Sequence, residues 1–355
     1  MKYTKHSENN GINIFLYFTA IVVHITSAVI GITFCWSTPV TSKLEGLIDN
    51  PLGFSISVSQ SSWLSSLTSL GAVVGPFSGG YFSDSIGRKW SLIESPCYLI
   101  MKGQHEEARK SLEKLRQSDN IEDEIMELTA TVKESLANRG GIIDVIKTDY
   151  LCRGLIITTG IVIIQQFSAI SPILLYMHEI FENAGSSLSK EYATIIVGVV
   201  QIVATLISSF VIDRLGRRPL MFISIVPLCI SLLTLSLYFY LKSLMDVSHI
   251  SWLPVTALLV YVIFFNMGMG PLAIVVLSEI FPPHVKSSAT SFTIATCFFV
   301  SFGVSKVFPL LGALFGQWFP FLICGVATTV GIIFMWFRLP ETKGKHLSEI
   351  LESLK

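Results

Sequence analysis

The chain has 355 residues, 51% of them hydrophobic and only 14% charged, with a mean hydropathy of +0.62. A soluble domain carries roughly 25% charged residues, so a water-soluble globular protein of this length is excluded. Acidic and basic residues balance at 25 each, which implies no nucleic acid or other strongly charged partner.

The polar stretch Met1–Asn10 is followed by apolar sequence from Gly11. That run outlasts the ~7–15 residues of a signal-peptide core and reads as a retained membrane helix, Ile12–Trp36. Further stretches of about 20 apolar residues, the length that crosses hydrocarbon, follow at Trp63–Phe82, Leu151–Met177, Tyr192–Ile212, Leu220–Leu241, Leu253–Phe281, Ser288–Leu311 and Trp318–Phe337. The expected fold class is therefore an all-α membrane protein with about eight transmembrane helices. With the N-terminus in the cytoplasm, the outer loops hold only Lys43, Lys190 and Lys242, and Lys306 falls within a span. Every other Lys and Arg then lies inside, as the positive-inside rule demands. Both termini are expected in the cytoplasm. The cysteines Cys35, Cys97, Cys152, Cys229, Cys297 and Cys324 are scattered, mostly in apolar segments. They have neither disulfide-framework nor metal spacing and read as small buried hydrophobes.

Between the second and third spans, Met101–Thr148 is polar. Its part Gln104–Arg116 consists of good helix formers. Leu112 and Leu115, then Ile121, Ile125 and Leu128, recur every three or four residues, and Glu106 precedes Lys110 as a favourable i,i+4 pair. Short amphipathic helices on the cytoplasmic face are expected; a solvated linker is the alternative.

Two turns on that face share one pattern. The first has Asp84, Gly87, Arg88 and Lys89; the second has Asp213, Gly216, Arg217 and Arg218. The glycine permits a tight turn, the bases stay in the cytoplasm, and the acid can hold a guanidinium of a neighbouring helix. Two copies on one side indicate a duplicated bundle. Together they resemble the signature of the sugar porter branch of the major facilitator superfamily. Four more motifs carry the resemblance in order. Glu94–Leu99 is similar to the P-E-S-P-R-x-L that follows the family's sixth helix, and Gln165–Ser168 to the Q-Q-x-S-G-I-N of its seventh. Gly270-Pro271 with Glu279–Pro282 matches the tenth helix, and Leu339–Gly344 the P-E-T-K-G after the twelfth. Trp36–Pro39 and Gly198–Gln201 look most like the insect facilitated trehalose transporters.

The resemblance implies a plasma-membrane protein that carries a sugar, such as trehalose or a hexose, by facilitative uniport and alternating access, with no enzymatic activity and no cofactor. Proton symporters of the branch have a carboxylate on the first helix. The matching position here is Ser37, and Ile12–Trp36 holds no Asp or Glu, with His24 its one side chain that ordinarily titrates near neutral pH, which favours passive transport. In the family, the first basic turn joins helices two and three, and the P-E-S-P motif follows helix six. Here only Trp90–Ile93 separates Lys89 from Glu94. Helices three to six are thus absent, and losing an even number leaves the later spans in their original orientation. The chain divides into a partial N-terminal half (1–93), a cytoplasmic linker (94–150) and a C-terminal six-helix half with its tail (151–355). Such a gap fits a splice variant, a deletion or a gene-model artefact, and a truncated, transport-inactive isoform is the alternative function. Self-association, or pairing with a full-length transporter, would complete the bundle. The first helix pair is expected to pack loosely and to leave to lipid the faces with Ser59, Gln60, Ser61, Ser62, Ser65, Ser66 and Gly71–Gly75.

A neutral, hydroxyl-rich ligand needs amides and hydroxyls. The resemblance assigns substrate binding to Gln165, Gln166 and Ser171 on the seventh family helix, Gln201 on the eighth and Asn266 on the tenth. Adjacent amides in an apolar helix are costly unless they face a polar cavity; interhelical hydrogen bonding is the alternative. It also assigns a cytoplasmic charge network to Asp84, Arg88, Lys89, Glu94, Asp213, Arg217, Arg218, Glu279 and Glu341. Within it Glu94 and Glu341 pair with the basic turns in the outward-open state. The sequence departs from the family at Ala169 (Gly), Ser171 (Asn), Ala273-Ile274 (Pro-Trp) and Cys297 (Asn), and the glutamine of the fifth family helix falls in the missing segment.

Overall fold

The structure is a computed structural model. It describes residues 40, 44, 54–85, 99–100, 103–116, 122, 125–126, 128–130, 142–184, 190–345 and 347–353. The expected span Ile12–Trp36 and the residues Arg88, Lys89 and Glu94 lie outside these. Among the described residues the regular elements are all helical. The chain divides into two compact units, Met1–Thr33 with Gly80–Arg139, and Phe34–Gly79 with Gly140–Lys355.

The first long helix, α1, covers Val58–Ser85. In the first unit, α2 (His105–Arg116) is amphipathic as its leucine spacing predicts. Ala108 is buried with Leu99 and Ile100, and Leu128 packs against them. The i,i+4 pair on α2 is Arg109–Glu113 at 3.1 Å rather than Glu106–Lys110. Arg109 also reaches Glu122 at 3.0 Å, which its forked guanidinium allows and an ammonium would do less well.

The second unit continues through α3 (Ile142–Lys147), α4 (Asp149–Phe167), α5 (Ile170–Leu175), α6 (Met177–Ala184), α7 (Lys190–Leu215) and α8 (Arg217–Leu244). After a 3₁₀ turn come α9 (Leu253–Phe264), a π turn (Phe265–Met269), α10 (Gly270–Ile280), α11 (Pro283–Phe315), α12 (Trp318–Arg338) and α13 (Leu347–Ser353). Among the described residues, six helices are long and apolar enough to cross a membrane: Asp149–Leu175, Ile195–Ile212, Arg217–Leu244, Leu253–Ile280, Val285–Phe315 and Trp318–Arg338. They coincide with the last six expected spans. The serines and glycines of α1 dilute its apolar side chains, and it is not one of the six.

The core of this unit forms where α8 lies on α9 and α12, and α4 on α11. Met221, Ile225, Leu228, Leu232 and Leu235 are spaced along one face of α8 and fully buried. Small residues bring the backbones close, as membrane helices require in the absence of a hydrophobic drive between them. A Cβ on Gly325 would stand 2.7 Å from Leu233, and one on Gly160 would stand 2.6 Å from Phe334.

One expectation is corrected here. Ser61, Ser62, Ser65, Ser66 and Ser69 are buried, whereas Ser59, Gln60 and Gly71 are exposed. The serine face of α1 is therefore covered, not left to lipid. Recurring every three or four residues, small hydroxyl side chains make a smooth strip on which a neighbour can settle closely. Ser69 Oγ sits 3.2 Å from Ser301 Oγ of α11. One end of the seam is closed by Trp63, whose ring centroid is 5.9 Å from that of Phe302 and 3.2 Å from Lys306 Nζ.

Candidate functional site

Two spans that read as continuous in the sequence are broken in the structure, and the polar residues gather at the breaks. The first break separates α4 from α5 at Ala169, which adopts φ 68. It is the one residue other than glycine with positive φ among the described residues. A left-handed turn releases backbone carbonyls. Here Ser168 Oγ donates to Gln165 O at 2.7 Å, and the buried Tyr261 hydroxyl donates to Ser168 O at 2.9 Å. The second break is the π turn between α9 and α10. Pro271 has no N–H to give to Met267, and Ser208 Oγ of α7 donates to Met267 O instead, at 2.8 Å.

Gln165 ties the two breaks together: its Nε2 lies 3.2 Å from both Met269 O and Gly270 O. Gln166, only 8% exposed, points elsewhere. Its Nε2 donates to Cys297 Sγ at 3.1 Å, and its Oε1 accepts from Ser171 Oγ at 3.0 Å. Ser171 Oγ is 2.8 Å from Ser301 Oγ, which continues to Ser69 on α1. Cys297, Gln166, Ser171, Ser301 and Ser69 thus form one uncharged chain across α11, α4, α5 and α1.

Asn266 and Gln201 belong to a second group. Asn266 Nδ2 donates to Val262 O at 2.8 Å, and its Oδ1 is 3.5 Å from Thr205 Oγ1, a marginal contact. Thr205 donates to Gln201 O at 2.8 Å. The Gln201 amide is half-buried and has no hydrogen bond among the described residues. Ser301, Ser69, Tyr261 and Thr205 escaped sequence reasoning. Ser301 alone had a signal, one helical turn beyond Cys297, itself a departure from the family pattern. Beside Gln166, Phe167 opens onto an apolar cavity of about 320 Å³ lined by Phe299, Gly303, Phe308, Ile323 and Cys324; none of the amides enters it. Among the described residues no cluster of three or more metal-ligating side chains occurs.

At the expected cytoplasmic end, Gly216 (φ 92) precedes α8. Glu341 Oε1 and Oε2 accept from the backbone N–H groups of Arg217 and Arg218, each at 3.0 Å. The acid therefore meets the basic turn as an anion at a helix N-terminus, not as a partner of the guanidinium groups. A Cβ at residue 216 would stand 3.1 Å from Glu341 Oε2, so glycine serves both the turn and the approach. Partial burial pushes the Glu341 carboxyl up, but the N–H groups of Lys343, Arg217, Arg218 and Thr342 outweigh it and hold the pKa below the usual value. The Arg217 guanidinium instead pairs with Glu279, its Nη2 2.9 Å from Oε1, and Thr342 Oγ1 donates to Glu279 Oε2 at 2.6 Å. Arg218 Nη2 donates to Trp336 O at 2.8 Å. Asp213 and Asp84 lie in the last turns of α7 and α1.

Residues 94–354 match the family model described as sugar (and other) transporter. The chain is 36% identical over 260 residues to the facilitated trehalose transporter Tret1 of Apis mellifera ligustica. It is 38% identical over 261 residues to that of Polypedilum vanderplanki. Each alignment covers 72% of this chain and 52% of the relative, so the chain spans about half the length of these curated relatives. Among solved structures it resembles the proton:xylose symporter XylE bound to 6-bromo-6-deoxy-D-glucose, with TM-score 0.61 and 24% identity over 84% of this chain and 66% of that one. A D-xylose-proton symporter matches with TM-score 0.63 and 20% identity, over 93% of this chain and 100% of that one. At such identities these two likenesses concern the fold.

Proposed function

The chain belongs to the sugar transporter family, whose members are multi-pass membrane transporters of the major facilitator type and not enzymes, and from that premise we propose that its six-helix half carries one wall of a sugar site. The ligand is a neutral sugar, trehalose or a hexose, and movement is passive, with the Lys- and Arg-rich ends and both termini in the cytoplasm of a plasma-membrane protein. The observation that carries this reading is the uncharged set of amides and hydroxyls around the α4–α5 break, with Gln165 reaching the π turn and Gln166 and Ser171 linked to Ser301 of α11. Such groups can exchange hydrogen bonds with sugar hydroxyls without desolvating a charge. Gln201, whose amide has no hydrogen bond among the described residues, is assigned to the same ligand by the family resemblance.

The test is equilibrium binding of trehalose and glucose to the purified chain in lipid nanodiscs. Saturable binding that Gln166→Ala abolishes is the expected result; binding that the substitution leaves intact would remove the amide pair from the site. A second reading, a transport-inactive isoform, is favoured by the short connection from Lys89 to Glu94 and by the half-length match to the relatives. The two readings are compatible, since a wall can bind sugar without moving it.

A further inference from the structure

We propose that α1 is a built-in competitor for the sugar site: its Ser69 hydroxyl occupies the hydrogen-bonding position that a sugar hydroxyl must take. The inference rests on the sugar-site reading and adds a regulator to it.

Proton counting gives the hydroxyl chain a direction. A serine hydroxyl has one hydrogen to donate and two lone pairs to accept with. Ser171 gives its hydrogen to Gln166 Oε1, so in the 2.8 Å contact with Ser301 it must accept. Ser301 therefore donates to Ser171 and has no hydrogen left for Ser69. The 3.2 Å contact between Ser69 and Ser301 must then run from Ser69. The order is Ser69 to Ser301 to Ser171 to Gln166, and Gln166 closes the chain on Cys297. Each serine hydrogen in the six-helix part of this hydrogen-bond chain is committed, and Ser69 and Ser301 are both buried. Ser301 keeps a second lone pair, but it is buried with Ser69 on it, so a sugar cannot reach its oxygen while α1 stays docked.

The displaceable link is the one to α1. The other links join α4, α5 and α11 within the tightly packed six-helix half. Ser69 is the only member contributed from outside that half. It is also the chemical equal of what would replace it, a neutral hydroxyl donating to Ser301 Oγ. Its removal leaves no charge and no unpaired donor within the six-helix half. Toward one end of the same antiparallel seam, Lys306 Nζ stands 3.2 Å from the Trp63 ring centroid, a second contact that holds α1 in place while the site is empty. Sugar binding and α1 docking are therefore mutually exclusive at Ser301, and each weakens the other by the same factor.

The experiment uses the full chain in nanodiscs with trehalose and glucose as probes. Ser69→Ala removes the competing hydroxyl and is expected to tighten sugar binding by about 2–10-fold, the worth of one net hydrogen bond, with an unchanged helical circular dichroism spectrum. The double variant Trp63→Cys/Phe302→Cys, joined across the seam by a short reducible thiol cross-linker, is expected to lose saturable binding and to regain it on reduction. Unchanged or weaker binding by Ser69→Ala overturns the proposal. So does a cross-linked chain that binds as tightly as its reduced form. Absence of saturable binding in every form, Ser69→Ala included, removes the sugar site itself, and the competitor falls with it.

Discussion

At the scale of single residues, Ala169 is the position where chemistry and conformation disagree. Its φ of 68 places a methyl group in the left-handed region, at a cost of roughly 1–2 kcal/mol that glycine escapes. Glycine also loses more entropy on folding, which takes back part of that gain. Ala169→Gly is expected to stabilise the chain by about 0.5–1 kcal/mol, read as a higher melting temperature in detergent. A lower one would mean that the buried methyl contributes more packing than the turn costs. The glutamines separate by the same measurement. Gln165→Ala removes two contacts to the carbonyls of Met269 and Gly270 and should destabilise the sugar-free chain by about 1 kcal/mol. Gln201→Ala removes an amide without a partner among the described residues and should leave stability within about 0.5 kcal/mol; a drop as large as that of Gln165→Ala would place Gln201 in a structural contact. Gln165, Gln166 and Ser171 were legible in the sequence because their motif is local. The pairing of Ser69 with Ser301 spans 232 positions and leaves no periodic trace, and serine is too common in membrane helices to single either out.

At the scale of elements, hydropathy located the six long spans because burial in lipid requires a continuous apolar run. It did not locate the breaks within Leu151–Met177 and Leu253–Phe281, since a turn of backbone does not alter the mean hydropathy of a window. Only Ala169, where the family has glycine, and Gly270-Pro271 hinted at them. The burial of α1 was misjudged for a related reason. Serine is equally at home facing a neighbour or a cavity, and its exposure depends on what packs against it. The start of α8 was legible as a charged turn, but the role of Glu341 was not, because the acid lies 124 residues from the N–H it accepts from at Arg217. That arrangement predicts a pH dependence. The folded pKa of Glu341 is depressed, so its contribution is fully present above the unfolded value of about 4.3. It is lost as pH falls from there through the lower folded value. The melting-temperature difference between the native chain and Glu341→Gln should therefore be widest near neutrality and shrink progressively below about pH 4.3. A difference that persists unchanged to about pH 3, below the reference range of carboxylates, would show that the anion at the α8 N-terminus contributes nothing.

At the scale of the whole molecule, a sugar site and a sugar transporter are different things. Alternating access in this fold needs two halves that rock as bodies about a midplane site, each sealing one side while the other opens. The chain supplies one such body, the six spans from Asp149 to Arg338. Besides it, the structure has α1, and the sequence adds one expected span, Ile12–Trp36, which lies outside the described residues. A pair of helices can cover part of a wall, as α1 does along α11 through Ser69 and Trp63. Two helices are too few to close a cavity against water at one end and release it at the other. Only Trp90–Ile93 separates Lys89 from Glu94, where the motif resemblance leads one to expect four more helices. The chain reconstituted alone in liposomes should therefore show little or no saturable flux of trehalose or glucose, even where binding is measurable. Inserting the four missing helices from a full-length relative between Ile93 and Glu94 should restore it. Saturable, inhibitor-sensitive uptake by the unmodified chain would contradict this, and the missing wall would then have to come from a second copy. Cross-linking in the same liposomes reads that directly: active vesicles would contain a dimer whose abundance tracks the rate of uptake.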